Sequence, residues 1–348
     1  MSDTFPTAPA PIVTRVNPGD VPAEVVDRLR AGAIVAPTGA GVLDLTGPGA
    51  VASFQGLLTS DIEQPGDGAF VYGALLTPKG MIVVDGWAAR LGVRVRFTVP
   101  SEGRERAAAI LHRSVPPRLA RTVDRSGDSV VLRVAGAHAV AILGASGLPA
   151  PPHAGHVVEA TFEDAPLEVA RATERAPFTF QITVTAEHQE AVVDRLVRGG
   201  ATEADAAALE LARILAGWPR LASEVDEKTI PQEIGYDDIG GVSYTKGCYT
   251  GQETVSRLHF RGHANRHLRG LLFEVDSPAP PAEGWSAVTE DEREVGRVTS
   301  IAWVAGADRW IGLAIIRREV AVGAVVRAAG REARVVTLPF DLPATRPA

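Results

Sequence analysis

Val42-Leu43-Asp44-Leu45-Thr46-Gly47-Pro48-Gly49-Ala50-Val51 reads as a strand, a glycine turn and the start of a helix. Leu43 and Leu45 alternate as one face of a strand does, Gly47 suits a tight turn, and Ala50, Val51 and Phe54 then fall at helical spacing. The same order returns at Val131-Leu132-Arg133-Val134-Ala135-Gly136-Ala137-His138-Ala139-Val140. A repeated strand–turn–helix unit predicts two similar α/β modules. Gly47-Pro48-Gly49 does not open a dinucleotide-binding turn: Pro48 lacks the amide that would face phosphate, and no acid follows about twenty residues on.

Working outward, Thr185 precedes a run that ends at Gly199-Gly200 and places Val192, Val193 and Leu196 on one stripe, which predicts a helix closing the second module. Thr202 with Asp205 begins a further helix carrying Leu209, Ala212, Arg213 and Leu215, stopped by Gly217 ahead of Pro219. The chain then reads as irregular. From about His267 it turns to short alternating stretches, Val295 to Trp303 and Trp310 to Ile316, with Pro278-Ala279-Pro280-Pro281 and Gly306 as separators, which predicts a small β-rich domain. The expected α+β order is a flexible tail and short helix over 1–32, α/β modules over 33–124 and 125–200, a connecting helix and loop over 201–264, and the β domain over 265–348.

A chain of 348 residues exceeds what one core organises, so more than one domain is required. Hydrophobic residues make up 45% and charged residues 22%, an ordinary globular balance. A net charge of -7 argues against stable coating of nucleic acid. Cys248 is the one cysteine, which excludes an intramolecular disulfide and an all-cysteine metal site and suits the reducing cytoplasm. Met1 to Pro11 lacks a basic stretch followed by an apolar run, and the most apolar window, Val130 to Gly147, is broken by Arg133 and His138, so neither a secretion signal nor a membrane span is expected.

The densest chemistry lies in Lys246-Gly247-Cys248-Tyr249-Thr250-Gly251-Gln252-Glu253, which packs a cation, a thiol, an aromatic ring, two glycines, an amide and a carboxylate into one short stretch. Gly247 and Gly251 permit positive φ and close approach, Tyr249 offers a flat face to a planar ring, and Gln252 or Glu253 can pair with its donor–acceptor edge. From Lys246 to Arg269 there are five Lys or Arg residues against Glu253 alone, a local excess that suits a carboxylate tail, phosphate or RNA. His259, His263 and His267 would align for a metal only on a helix, and Gly262 argues against one, so no metal is expected. Cys248 reads either as a buried small hydrophobe, the usual fate of a lone cysteine, or, beside a glycine and nearby cations, as a partly exposed reactive thiol. Asp85 falls near the end of a strand, suited to act as a base or to anchor a ring, or else it is a turn residue before Gly86.

The eight-residue stretch, followed by Arg257 and Arg261-Gly262, resembles the signature of the YgfZ family of folate-binding proteins. Leu75-Leu76-Thr77-Pro78-Lys79-Gly80-Met81 resembles that family's first-domain loop, Arg213-Ile214 through Gly217 and Pro219 its linker, and Gly296-Arg297-Val298-Thr299-Ser300 a strand shared with glycine-cleavage T-proteins. The resemblance runs from about Ala33 to Pro339. It implies a three-domain ring like that of the aminomethyltransferases, closed by a C-terminal β-barrel, with tetrahydrofolate in a central channel. Residue by residue it carries Lys246, Tyr249, Gly251, Gln252, Glu253 and Arg257 as folate contacts and Cys248 as a chemically active side chain; Asp85 joins Cys248 as a catalytic candidate on its place in the strand alone. It also implies work in the assembly or repair of iron–sulfur proteins, among them tRNA-modifying radical enzymes, so the partners expected are folate and iron–sulfur client or assembly proteins. The sequence departs from T-proteins in lacking their Asp-Asp pair after Gly80 and their Gly-Tyr-Thr-Gly-Glu loop near Ala176 to Phe180. The alternative function is one-carbon transfer from an amine, an aminomethyltransferase or demethylase.

Overall fold

The computed structural model describes residues 12–274, 279, 287–328 and 330–341. The tail from Met1 to Pro11 and, apart from Ala279, the proline-rich separator at Pro278 to Pro281 lie outside the described residues.

Both repeats fold as read. Strand Gly41–Thr46 leads into helix Ala50–Gln55, and strand Ser129–Ala135 into helix Ala139–Ser146. The turn glycines share a backbone, with φ 142° at Gly47 and 133° at Gly136. A Cβ would stand 2.5 Å from the carbonyl oxygen of Leu119 at the first and 2.6 Å from that of Gly32 at the second, so only glycine closes either turn.

The first sheet has five antiparallel strands in the spatial order Phe70–Leu76, Ile82–Leu91, Arg94–Val99, Gly41–Thr46, Arg121–Asp124. Its core gathers Leu43, Leu45, Phe54, Phe97 and Ile110. The second sheet runs Thr202–Glu203, Ile34–Thr38, Ser129–Ala135, Phe180–Thr185, Ala165–Arg171, His156–Phe162. Ile34–Thr38 thus belongs to the second sheet, not to the first module. Ile34, Val35 and Ala36 are all buried and need neighbours on both sides, while Gly41–Thr46 already has both its edges paired.

Helix Gln189–Arg198 buries Val192, Val193 and Leu196, after one 3-10 turn at Ala186–His188. Thr202 is not a cap: with Glu203 it pairs in parallel with Ile34 and Val35. Asp205 caps helix Ala206–Ala216 by accepting from the amides of Ala207 and Ala208 at 3.0 and 3.1 Å, and Gly217 ends it with φ 69°.

Six strands close the C-terminal barrel, in the order Arg266–Phe273, Arg309–Arg317, Arg293–Val304, Ala287–Glu290, Val325–Ala328, Arg331–Val336 and back to the first. Trp310, Val298, Ile301 and Phe273 fill it. Part of the segment expected to be flexible is sheet: Thr14–Val16 lies parallel to Arg293–Val304, Thr14 opposite Ser300.

Arg94 and Arg96 tie the modules together, binding Asp44 of the first and Glu168 of the second. Arg213 reaches from the connecting helix to Glu210, Glu224 and the barrel residue Ser300. A central cluster containing Tyr72, Trp87, Phe178, Trp218, Tyr236, Tyr249 and Leu313 draws on all three domains. Among the described residues no helix is long and apolar enough to cross a membrane.

Candidate functional site

Where the modules and the connecting helix meet, a cavity of about 210 Å³ opens, lined among others by Tyr72, Asp85, Trp87, Arg133, Phe178 and Trp218. The rings make an aromatic sleeve. Trp87 stacks on Trp218 with centroids 5.7 Å apart, Phe178 meets Trp87 edge-on at 5.1 Å, and Tyr72 meets Trp218 at 4.7 Å.

Asp85 does not stand at a strand end. It lies inside Ile82–Leu91, paired with Ala74, and the strand continues through Gly86, whose absent side chain lets the Thr98 carbonyl approach. Asp85 is buried and accepts hydrogen bonds from the hydroxyls of Tyr72 at 2.6 Å and Tyr236 at 2.9 Å. Burial pushes its carboxyl above the usual range, against the pull of the two tyrosines. The same burial raises both phenols well above their ordinary value, so they remain donors.

The motif lies apart from this cavity: none of Lys246, Cys248, Tyr249, Gly251, Gln252, Glu253 or Arg257 lines it. Lys246 is buried, and its ammonium donates to the carbonyls of Gln55, Leu58 and Ser60 at 2.7, 2.7 and 2.8 Å, satisfying all three of its donors. Burial lowers its pKa to about 8. Its neighbours Thr59 and Ser60 bond in turn to the Ala74 amide, the Tyr72 carbonyl and the carbonyls of Gly240 and Gly241. The lysine therefore braces the strand and loop that present Tyr72 and Tyr236 to Asp85.

Tyr249 is buried, its hydroxyl without a partner among the described residues and its pKa raised by burial to about 12. Gly247 does not have positive φ and faces open space, whereas Gly251, at φ 82°, packs on the Thr77-to-Gly80 turn. The region read as irregular contains a helix, Gln252–Arg261, on which Glu253 and Arg257 are exposed. His259 lies on it, His263 follows it and His267 sits in a strand, so the three imidazoles do not align, and among the described residues no metal-holding group of His, Cys, Asp or Glu forms. Cys248 is exposed.

Sequence reasoning missed Tyr72, Tyr236, Arg133 and Phe178. Only Arg133 carried a signal, as the charge breaking the apolar run after Val130; the others take their meaning from the sheets that bring them to Asp85.

Comparison with known proteins agrees with this architecture. Residues 22–239 match the GCVT N-terminal domain family and residues 266–341 the glycine cleavage T-protein C-terminal barrel domain. The crystal structure of glycine cleavage system aminomethyltransferase T from Bartonella henselae superposes with a TM-score of 0.77 over 93% of this chain and 91% of that one, at 18% identity. Domain matches and superposition thus place the chain in the T-protein fold class. Within it, 31% identity to the tRNA-modifying protein YgfZ of Serratia proteamaculans extends over 78% of this chain and 80% of that protein. The chain belongs to the YgfZ family. The proteins of that name from Yersinia enterocolitica and Vibrio atlanticus are 29% and 34% identical, and the chain spans 64% and 42% of their lengths.

Proposed function

We propose that the cavity binds tetrahydrofolate and that the protein serves, in the cytoplasm, the maturation or repair of iron–sulfur proteins, including enzymes that modify tRNA. The observation that carries the folate reading is Asp85, a buried carboxyl held by two tyrosine hydroxyls within an aromatic sleeve. The residues fit the group. A flat heterocycle packs against Trp87, Phe178 and Trp218, and a carboxyl of raised pKa pairs with its polar edge in either protonation state. Tetrahydrofolate supplies a carrier for one-carbon units. The motif contributes at one remove: Lys246, Tyr249 and Gly251 hold the walls in place, while Cys248, Glu253 and Arg257 form an outward face for a client protein. One exposed thiol cannot hold a cluster that takes about four cysteines, so any contact of Cys248 with iron or sulfide is shared with that client.

Titration with tetrahydrofolate tests the folate reading through the fluorescence of Trp87 and Trp218. Saturable quenching is expected, and absence of binding up to millimolar ligand overturns it. A second reading, one-carbon transfer from a methylated amine, is favoured by the same Asp85, whose raised pKa suits proton exchange with an amine. Formation of methylenetetrahydrofolate from sarcosine or dimethylglycine, abolished in Asp85→Ala, would establish that reading.

A further inference from the structure

Three arginines line the cavity, and two have partners. Arg213 is paired with Glu210 and Glu224, and Arg220 with Glu102 and Glu210. Arg133 has no such partner. It projects from strand Ser129–Ala135, between the buried Leu132 and Val134, with Ala36 and Gln181 as its cross-strand neighbours. Its guanidinium lies over the Phe178 ring, 4.3 Å from the centroid. Among the described residues no hydrogen bond or ion pair meets its side chain, and its Nε is buried without a partner. Beside it Gln181, itself buried, donates to the Thr98 hydroxyl on the cavity wall while its own amide oxygen is unpartnered. The wall's carboxylates act on Arg133 only at a distance: Asp85 and Glu210 attract it, but Glu102 and Glu210 are bound by Arg220 and Arg213, and Asp85 by the tyrosines.

A half-buried guanidinium with no directly bonded carboxylate is costly, and burial lowers the pKa of Arg133 to about 10, which still leaves it charged at neutral pH. Its planar fork matches a carboxylate through two parallel hydrogen bonds. We infer that Arg133 is the anion anchor of the cavity and that the ligand is an organic carboxylate whose apolar part lies in the sleeve of Trp87, Phe178 and Trp218. The inference takes from the folate reading only the location of the ligand. The carboxylate has two sources: the glutamyl end of a folate, or a separate amino acid that donates the one-carbon unit.

Calorimetric titration of the wild type, Arg133→Gln and Arg133→Lys separates the cases, using tetrahydrofolate, 6-methyltetrahydropterin, p-aminobenzoylglutamate and N,N-dimethylglycine. Arg133→Gln is expected to weaken the carboxylate ligand about tenfold or more and to leave the carboxylate-free pterin unchanged, with Arg133→Lys between the two. Dependence on Arg133 for p-aminobenzoylglutamate assigns the glutamyl source, and for dimethylglycine the amino acid source. If the wild type binds neither pterin yet binds one of these carboxylates through Arg133, the folate reading fails and the anchor stands. Equal affinity of wild type and both variants for every carboxylate, or no carboxylate bound at all, overturns it. Circular dichroism melting of Arg133→Lys, which keeps the charge and most of the packing, verifies that the variants are compared in the folded state.

Discussion

Gly80 and Gly251 meet backbone to backbone, and through them the Thr77-to-Gly80 turn and the loop before helix Gln252–Arg261 dock on one another. Both have positive φ, 84° and 82°; a Cβ on Gly251 would stand 3.1 Å from the Cα of Gly80 and 2.6 Å from the Thr77 carbonyl oxygen. Gly251→Ala is therefore expected to destabilise the protein by about 2 kcal/mol or more, combining backbone strain with a clash against main chain that cannot swing aside. Gly247→Ala, which faces open space, is expected to be neutral. Urea unfolding of the two variants gives the contrast.

Lys246→Met removes a cation from three carbonyls that, among the described residues, no other side chain meets. Leaving buried acceptors bare costs about 3 kcal/mol in total. Ligand affinity per folded molecule is expected to remain that of the wild type, because the lysine does not line the cavity. Denaturation and titration on the same preparation check both halves; tight folding with lost affinity would restore Lys246 as a direct contact.

Asp85 ties stability to pH. Its folded-state pKa lies above the ordinary 3.8, so the folded protein holds the proton more tightly than the unfolded chain. The stabilisation is complete below the unfolded value and is lost as pH rises through the folded one. Asp85→Asn keeps an acceptor for Tyr72 and Tyr236 without the buried charge. It is expected to be more stable than wild type at neutral pH, by about 1 kcal/mol, with the gap closing toward pH ~4, and to bind folate more weakly. Melting curves across that range decide it.

Cys248 is exposed and holds nothing together. Cys248→Ser is expected to leave stability within about 0.5 kcal/mol and folate affinity unchanged, yet to fail in restoring an iron–sulfur enzyme in cells lacking the native gene. Full rescue would leave the thiol without a role.

The fold was legible where local chemistry sufficed. Gly47 and Gly136 close equivalent turns because each is followed by a helix and backed by main chain, and that pattern is written within ten residues. The destination of Ile34–Thr38 was not, since an apolar strand fits either sheet until the pairing of Gly41–Thr46 is known. Helix Gln252–Arg261 was hidden because Gly262, which ends it, argues in sequence against a helix. At the candidate site, Asp85 stands out by its type although its place reads as a strand end; Lys246 reads as a folate contact, and sequence does not show the three carbonyls, 186 to 191 residues away, that its ammonium meets. Tyr72 and Tyr236, 164 residues apart, acquire a shared carboxyl only once the chain has folded.

The strand Thr14–Val16 has consequences for the order of events during synthesis. Its partners are Ser300 to Ala302, near the other end of the chain, and Thr14 further bonds Ser223 at 2.6 Å. Made well before its partner, this strand has no sheet to join until the barrel exists. The two α/β modules can each condense as their own strands arrive, whereas Thr14–Val16 is laid down late, as a clasp on the finished barrel.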